Sequence, residues 1–341
     1  MVKAGIIGLG GMGTGHLNNL IRFSKEGDVI KLIAACDIRP EAFEKKEQEF
    51  NIDLGESDDS YKDYQCYTDY EEMIEKEELD MVIIALPTYL HKEATIKCLE
   101  KGLNVLCEKP MGLNVQECEE MLAKSKEVGK RLMIGQVLRF WGSYEELKKA
   151  VDSKIYGEAT SAAFFRGGAL PAWGYEGWYY KRECGGGAMH DQHVHDVDMV
   201  QYLFGMPKAV SSVGKIIMPG SGHDSVSTNY IYDDYKVVNT QDDWMLQDDS
   251  FHMNFRVNFE TATMWLRDDG LFICEKGGTP HPMECDTENA YYKEVKYLAQ
   301  LIENPEMENT INPPEDSLNT VRLVCAEEDS ADNHGRITEI R

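Results

Sequence analysis

The sequence predicts an α/β protein: a doubly wound parallel sheet followed by an α+β domain. Three observations carry this. Apolar strand-like runs alternate with amphipathic helical stretches through about the first 140 residues, which is how βαβ units read. The first run is followed at once by Gly8-Leu9-Gly10-Gly11-Met12-Gly13. Later stretches change to period-two alternation, as in Phe251-His252-Met253-Asn254-Phe255-Arg256-Val257, which suits an antiparallel sheet with one covered face.

In order along the chain, Val2 to Gly8 is the first strand and the segment from Gly11 toward Phe23 the first helix. Val29 to Asp37 is a second strand, after which Pro40 starts a helix at its favoured first-turn position. Asp80 to Leu86 and Leu103 to Cys107 are buried parallel strands, separated by a helix from Leu90 to Lys101 that Gly102 terminates. Asn114 to Val128 is a further helix and Arg131 to Gly135 the sixth strand. Residues 1–137 are therefore expected to form a parallel α/β domain, and residues 138–341 an α+β domain. Within the latter, Gly185 to Phe204 reads as a glycine-rich loop and helix, Met218 to Asp249 has no clear periodicity, and Asn289 to Glu303 and Pro314 to Asn333 read as helices.

Composition narrows the function. At 341 residues, 42% of them hydrophobic, the chain is long enough for two cores, and no stretch approaches the roughly 20 apolar residues of a membrane span. With no leader ahead of the first strand, a cytoplasmic location is expected. A net charge of -25 repels phosphate backbones and anionic membranes, so neither nucleic acid nor membrane is an expected partner. Nine cysteines without a Cys-x-x-Cys pair fit reduced packing residues.

The glycine pattern follows a strand and opens a helix, the context of a dinucleotide site. Gly8, Gly10 and Gly13 allow a tight turn and close backbone approach, Gly11 and Met12 lie between them, and the helix N-terminus stabilises a pyrophosphate. Asp37, about 24 residues past Gly13, stands where a carboxylate accepts hydrogen bonds from the adenosine ribose, which argues for NAD. Arg39 leaves NADP possible, since an arginine there can pair with a 2'-phosphate. Pro87, Thr88 and His91 leave the fourth strand into the same crevice, and Glu108-Lys109-Pro110 leaves the next. Ligands of doubly wound sheets sit at such strand ends, so Lys109 is a candidate for chemistry and Glu108 for the cofactor site.

Gly185-Gly186-Gly187 introduces a helix on which Asp191, His195 and Asp198 share a face at i, i+4 and i+7. His195 oriented by Asp191 is a candidate general base, and Lys109 would stabilise a developing alkoxide or carbonyl oxygen. The histidines lack a His-Glu-x-x-His arrangement, and no metal is expected.

Together these elements resemble the glucose-fructose oxidoreductase, inositol dehydrogenase and rhizopine-catabolism (Gfo/Idh/MocA) family over nearly the whole chain. The shared motifs are the glycine fingerprint, Glu108-Lys109-Pro110, the glycine-rich loop before Asp191-Gln192-His193-Val194-His195, and similar stretches at Arg139-Phe140 and Pro313 to Leu318. The resemblance implies a Rossmann domain joined to a domain with a large, mostly antiparallel open sheet whose exposed face forms a dimer or tetramer interface. It also implies that Lys109, Asp191 and His195 face the nicotinamide. Arg139, Trp173 and Trp178 are candidates for substrate binding, the tryptophans by stacking on a sugar. His193, Trp141 and Val137-Leu138 depart from the family pattern and put the substrate, not the reaction type, in question.

The leading expectation is an NAD(P)-dependent dehydrogenase acting on a secondary alcohol of a sugar, cyclitol or related polyol. A redox-neutral, NAD-dependent glycosidase uses the same residues. A nucleotide-sensing regulator has no reason to keep both Lys109 and His195.

Overall fold

The computed structural model describes residues 1–43, 63–171, 174–247 and 251–341. The first domain runs β1 (Val2–Ile7), α1 (Gly11–Glu26), β2 (Ile30–Cys36), β3 (Gln65–Tyr67), α2 (Tyr70–Lys76), β4 (Met81–Ile84), α3 (His91–Glu100), β5 (Asn104–Cys107), α4 (Val115–Val128) and β6 (Leu132–Ile134). Among the described residues its six strands lie in the order β3-β2-β1-β4-β5-β6, all parallel, with the switch point between β1 and β4. Met81–Ile84 and Asn104–Cys107 are buried throughout because helices cover both faces of the sheet. Pro40 does open helical structure, a 3₁₀ turn over Pro40–Phe43; the residues expected to continue it, from 44 on, lie outside the described residues.

Register decides the site. Ile7 pairs with Cys36 and with Ile84, Ile84 with Cys107, and Cys107 with Ile134. The four chain exits that follow, at Gly8, Asp37, Ala85 and Glu108, are therefore level with one another at the carboxyl edge.

The second domain contains α5 (Gly142–Ser153), β7 (Ala159–Gly167), α6 (Arg182–Gly185), α7 (Gly187–Asp191) and α8 (Val194–Phe204). It continues with β8 (Ala209–Lys215), β9 (Ser225–Ile231), β10 (Val237–Asp243), β11 (His252–Phe259), β12 (Ala262–Arg267), β13 (Gly270–Glu275) and β14 (His281–Pro282). Helices α9 (Ala290–Glu303) and α10 (Pro314–Asp332) and the short β15 (Thr338–Glu339) end the chain. The described strands form one nine-stranded sheet ordered β14-β13-β12-β11-β7-β10-β9-β8-β15, antiparallel except for the β7/β10 pair. The stretch without clear periodicity thus supplies β9 and β10, whose alternation is hidden by inward-facing Thr228, Thr240 and Asp242.

Helix α9 does not stay with its own sheet. Tyr291, Tyr292, Val295 and Leu298 join the cluster formed by β1, β2 and α1, with Tyr292 stacked on Phe23 at 3.9 Å, while Leu318 and Val321 of α10 join the cluster on the other face. The chain end thereby clamps the two domains. No described helix is long and apolar enough to cross a membrane, and no disulfide joins the cysteines among the described residues.

Candidate active site

Glycines shape one wall. Gly8 has φ +92°, and a Cβ there would stand 2.4 Å from the Ala85 carbonyl oxygen; at Gly13 it would stand 1.9 Å from that of Gly8. Gly13 therefore serves close packing at the turn and lines neither of the two cavities of this site. At Gly10, by contrast, a Cβ would meet nothing within 4 Å, and no side chain caps the first turn of α1. Uncapped N–H groups facing open space suit a pyrophosphate.

The adjoining cavity, about 480 Å³, is lined by Gly10, Gly11, Met12, Asp37, Arg39 and Thr88, with Pro87 beside them. Asp37 Oδ2 accepts from the Leu9 amide at 2.8 Å, and Arg39 donates to both carboxylate oxygens through Nε and Nη2, each at 2.9 Å. Burial works against ionising Asp37, but these bonds prevail and hold its pKa below the usual carboxylate value. The residues present fit a dinucleotide.

His91 requires a correction. It is buried, with ring nitrogens 2.8 Å from the carbonyl oxygens of Pro110 and Leu86, and it lines neither cavity. It braces the two strand-exit loops instead of contacting a cofactor.

A second cavity of about 600 Å³ meets the first at Met12, Glu108, Lys109, Tyr179 and Asp191, which line both. At this junction Lys109 Nζ donates to Asp191 Oδ1 at 2.9 Å and to the Asp191 carbonyl oxygen at 2.6 Å. Glu108 is buried and accepts from His16 Nε2 at 2.6 Å. Burial alone would raise its pKa, yet that bond and the neighbouring charges of His16 and Lys109 keep it lowered. His16 was not singled out from the sequence, because its partner lies 92 residues away; a histidine on the buried face of α1 was the only available signal.

His195 lines the larger cavity, and its pKa is held well below the usual value by burial and by the Lys109 and Arg166 charges. The expected His195–Asp191 pairing does not form. The single helix expected over both residues is broken: the His193 amide reaches back to the Ala188 carbonyl, five residues away, α7 stops at Asp191, and α8 starts at Val194. The break turns the Asp191 carboxylate toward Lys109. Buried His193 in the break bonds Glu327 Oε2 at 2.8 Å.

Asp198 and Arg139 also require correction. They face away from both cavities and bond each other twice at 2.8 Å, with Asp316 and the Ile311 carbonyl completing the arginine's partners. Arg139 is thus a buried tie between the segment after β6 and helices α8 and α10, not a substrate ligand. Trp178 stacks on Tyr179 at 3.9 Å and lines the nucleotide cavity rather than the larger one, because positive φ at Glu176 and Gly177 folds the loop over that side. Trp173 lies outside the described residues. Val137, Leu138 and Trp141, departures from the family pattern, all line the larger cavity. So do Arg166 and Trp244, which sequence reasoning missed. No group of three metal-ligating side chains occurs among the described residues.

Residues 2–136 match the family model described as oxidoreductase family, NAD-binding Rossmann fold, and residues 144–264 match the GFO/IDH/MocA C-terminal domain. A 2,7-anhydro-N-acetylneuraminate hydratase of Mediterraneibacter gnavus is 32% identical over 210 residues, 61% of this chain and 52% of the relative. The scyllo-inositol 2-dehydrogenase (NAD(+)) of Bacillus subtilis is 31% identical over 222 residues, 63% of this chain and 58% of the relative. The matched part thus spans only about half the length of these curated relatives. In fold, the chain is similar to the WlbA dehydrogenase from Bordetella pertussis, solved with NADH and UDP-GlcNAcA, at TM-score 0.80 and 18% identity over 100% of this chain and 99% of that one.

Proposed function

From the premise that this chain belongs to the GFO/IDH/MocA oxidoreductase family, we propose that it is an NAD(P)-dependent oxidoreductase. It moves a hydride between nicotinamide and a secondary alcohol or ketone of a sugar, cyclitol or related polyol. The observation that carries the reading is the Lys109 ammonium, held by Asp191 where the two cavities meet. When bound, nicotinamide supplies the hydride acceptor.

The residues of this chain supply the rest. Lys109 Nζ donates a hydrogen bond to the reacting oxygen and stabilises negative charge as it develops there. Asp191 fixes the ammonium and offsets its charge. His195 Nδ1 is buried, so Nε2 is the nitrogen that takes the hydroxyl proton. Its lowered pKa keeps it neutral and able to accept at neutral pH. Asp37, with its oxygens already facing donors, favours the ribose hydroxyls of NAD over a 2'-phosphate. The open face of the nine-stranded sheet, around Gln241, Arg256 and Trp265, is the proposed homo-oligomer surface.

The similarity to an inositol dehydrogenase supports the polyol reading. The similarity to an anhydroneuraminate hydratase supports a second one, in which bound NAD serves redox-neutral cleavage, as in the glycosidase alternative. NADH absorbance with inositols, aldoses and phenyl glycosides decides. A rise with a polyol is expected; aglycone release without NADH would replace the dehydrogenase by the redox-neutral enzyme, and silence on every substrate would overturn both.

A further inference from the structure

Arg166 lies on β7 on the same face as Ala162 and Phe164, whose side chains are core, and it is itself only 2% exposed. A guanidinium brings five N–H donors into that environment. Nη2 donates to Asp196 Oδ1 at 3.0 Å, and among the described residues Nη1 reaches only the Met253 thioether at 3.6 Å, a weak acceptor. Nε is sealed inside the protein, with the Tyr144 hydroxyl beside the guanidinium, and does not open to the cavity. Arg166 lines that cavity, so Nη1 is the donor that an acceptor arriving there would take up.

The other charges there are already matched. Lys109 is held by Asp191, Glu108 by His16, and His252 lies 3.5 Å from Asp268. Asp196, the carboxylate paired with Arg166, does not line the cavity, whereas Arg166 does. Arg267, at the exposed rim, stacks on Trp265 and Phe272 and has no carboxylate partner among the described residues. The cavity of a chain with net charge -25 thus presents two arginines, Arg166 with its Nη1 bonded only to a thioether and Arg267 with no carboxylate partner among the described residues. Apolar Leu138, Trp244 and Phe251 around them strengthen any ion pair made inside.

We propose that Arg166 is the anchor of a carboxylate-binding subsite in this cavity, and that the substrate is a sugar acid, a polyhydroxylated ring or chain bearing a carboxylate, rather than a neutral polyol. The inference rests on the proposed reading of this cavity as the substrate site. A carboxylate oxygen accepts from Nη1 in a charge-assisted bond, roughly twice as strong as the bond a neutral hydroxyl makes. Arg267 at the rim favours approach of the anion against the acidic surface.

The test is calorimetric titration of the NAD-loaded protein with D-glucuronate and D-galacturonate against D-glucose and D-galactose, with NADH absorbance read in parallel. The acids are expected to bind at least about tenfold more tightly than the neutral sugars. Arg166→Met abolishes that preference and Arg166→Lys retains part of it. Where Arg166→Met alone fails to fold, the same loss is read in Arg166→Met combined with Asp196→Asn, which removes the stranded carboxylate; NAD binding reports the fold. Neutral sugars binding as tightly as the acids, or a preference surviving in the variants, overturns the subsite. NADH formed from neutral sugars alone also overturns it and leaves the dehydrogenase reading intact. An Arg166-dependent acid preference without NADH supports the subsite and overturns the dehydrogenase reading instead.

Discussion

The Lys109 ammonium donates to both the carboxylate and the backbone carbonyl of Asp191, at 2.9 and 2.6 Å. The two residues are 82 positions apart and belong to different domains, so this contact exists only when strand β5 and helix α7 are docked. It joins the nucleotide cavity to the larger one at a single charged atom.

Removing that atom separates chemistry from cofactor binding. Lys109→Met is expected to lower the rate of NADH formation by about 10²-fold or more, the scale of one lost electrostatic donor at a reacting oxygen. NAD affinity, followed by fluorescence titration, stays close to that of the parent protein, because α1 and Asp37 are untouched.

His195 sets the pH dependence. Burial, with the Lys109 and Arg166 charges, holds its pKa well below the usual value, so kcat/KM stays level as pH falls through about 6.5 and declines only at lower pH. Lys109→Met removes one repelling cation and moves the acidic limb of the residual rate upward. The sign for stability follows from the same shift. The unfolded chain takes up this proton near pH 6.5 and the folded chain does not, so His195's contribution is present above about 6.5 and lost as pH falls below it. A pH series of thermal melts reads that loss.

Asp37→Ala weakens NAD binding by about tenfold, the loss of the ribose acceptor, and frees Arg39 from its two carboxylate bonds. NADP therefore gains on NAD in the variant. Titration of both dinucleotides checks the ratio; an unchanged preference would remove Asp37 from the cofactor site.

Arg139 holds α8 and α10 to the segment after β6, and its loss is structural. Arg139→Met leaves Asp198 buried without its charge partner, which costs about 3–5 kcal/mol. A clear fall in Tm is expected, with KM unchanged in the protein that remains folded.

Glu294 is fully buried on α9 with neither carboxylate oxygen hydrogen-bonded. Burial, reinforced by the Glu108 and Asp198 charges and opposed by Arg139, pushes its pKa well above the ordinary value. The folded protein keeps this proton where the unfolded chain releases it, so the penalty grows as pH rises above about 4.3. Glu294→Gln is expected to raise Tm by about 2 °C or more at pH 8, and by less at pH 5.

Much of this was legible along the chain because its physics is local. Glycines that must turn tightly after a strand, a helix bounded by Asn114 and Gly129, and period-two alternation in β11 each need only near neighbours to be read. The alternation of β9 and β10 was obscured because Thr228, Thr240 and Asp242, inward yet polar, find their partners in distant elements.

The sequence by itself determined the doubly wound sheet, the nucleotide wall from Gly8 to Asp37 and the candidacy of Lys109, since spacing and strand order settle which chain exits are level at the carboxyl edge. Only the tertiary structure decided what each polar side chain faces. Whether Asp191 turns to Lys109 or His195, whether Arg139 meets a ligand or Asp198, and which acceptors Arg166 finds depend on a helix break and on the docking of distant elements. Both are set by burial and charge pairing between residues far apart in sequence, for which local periodicity carries no signal.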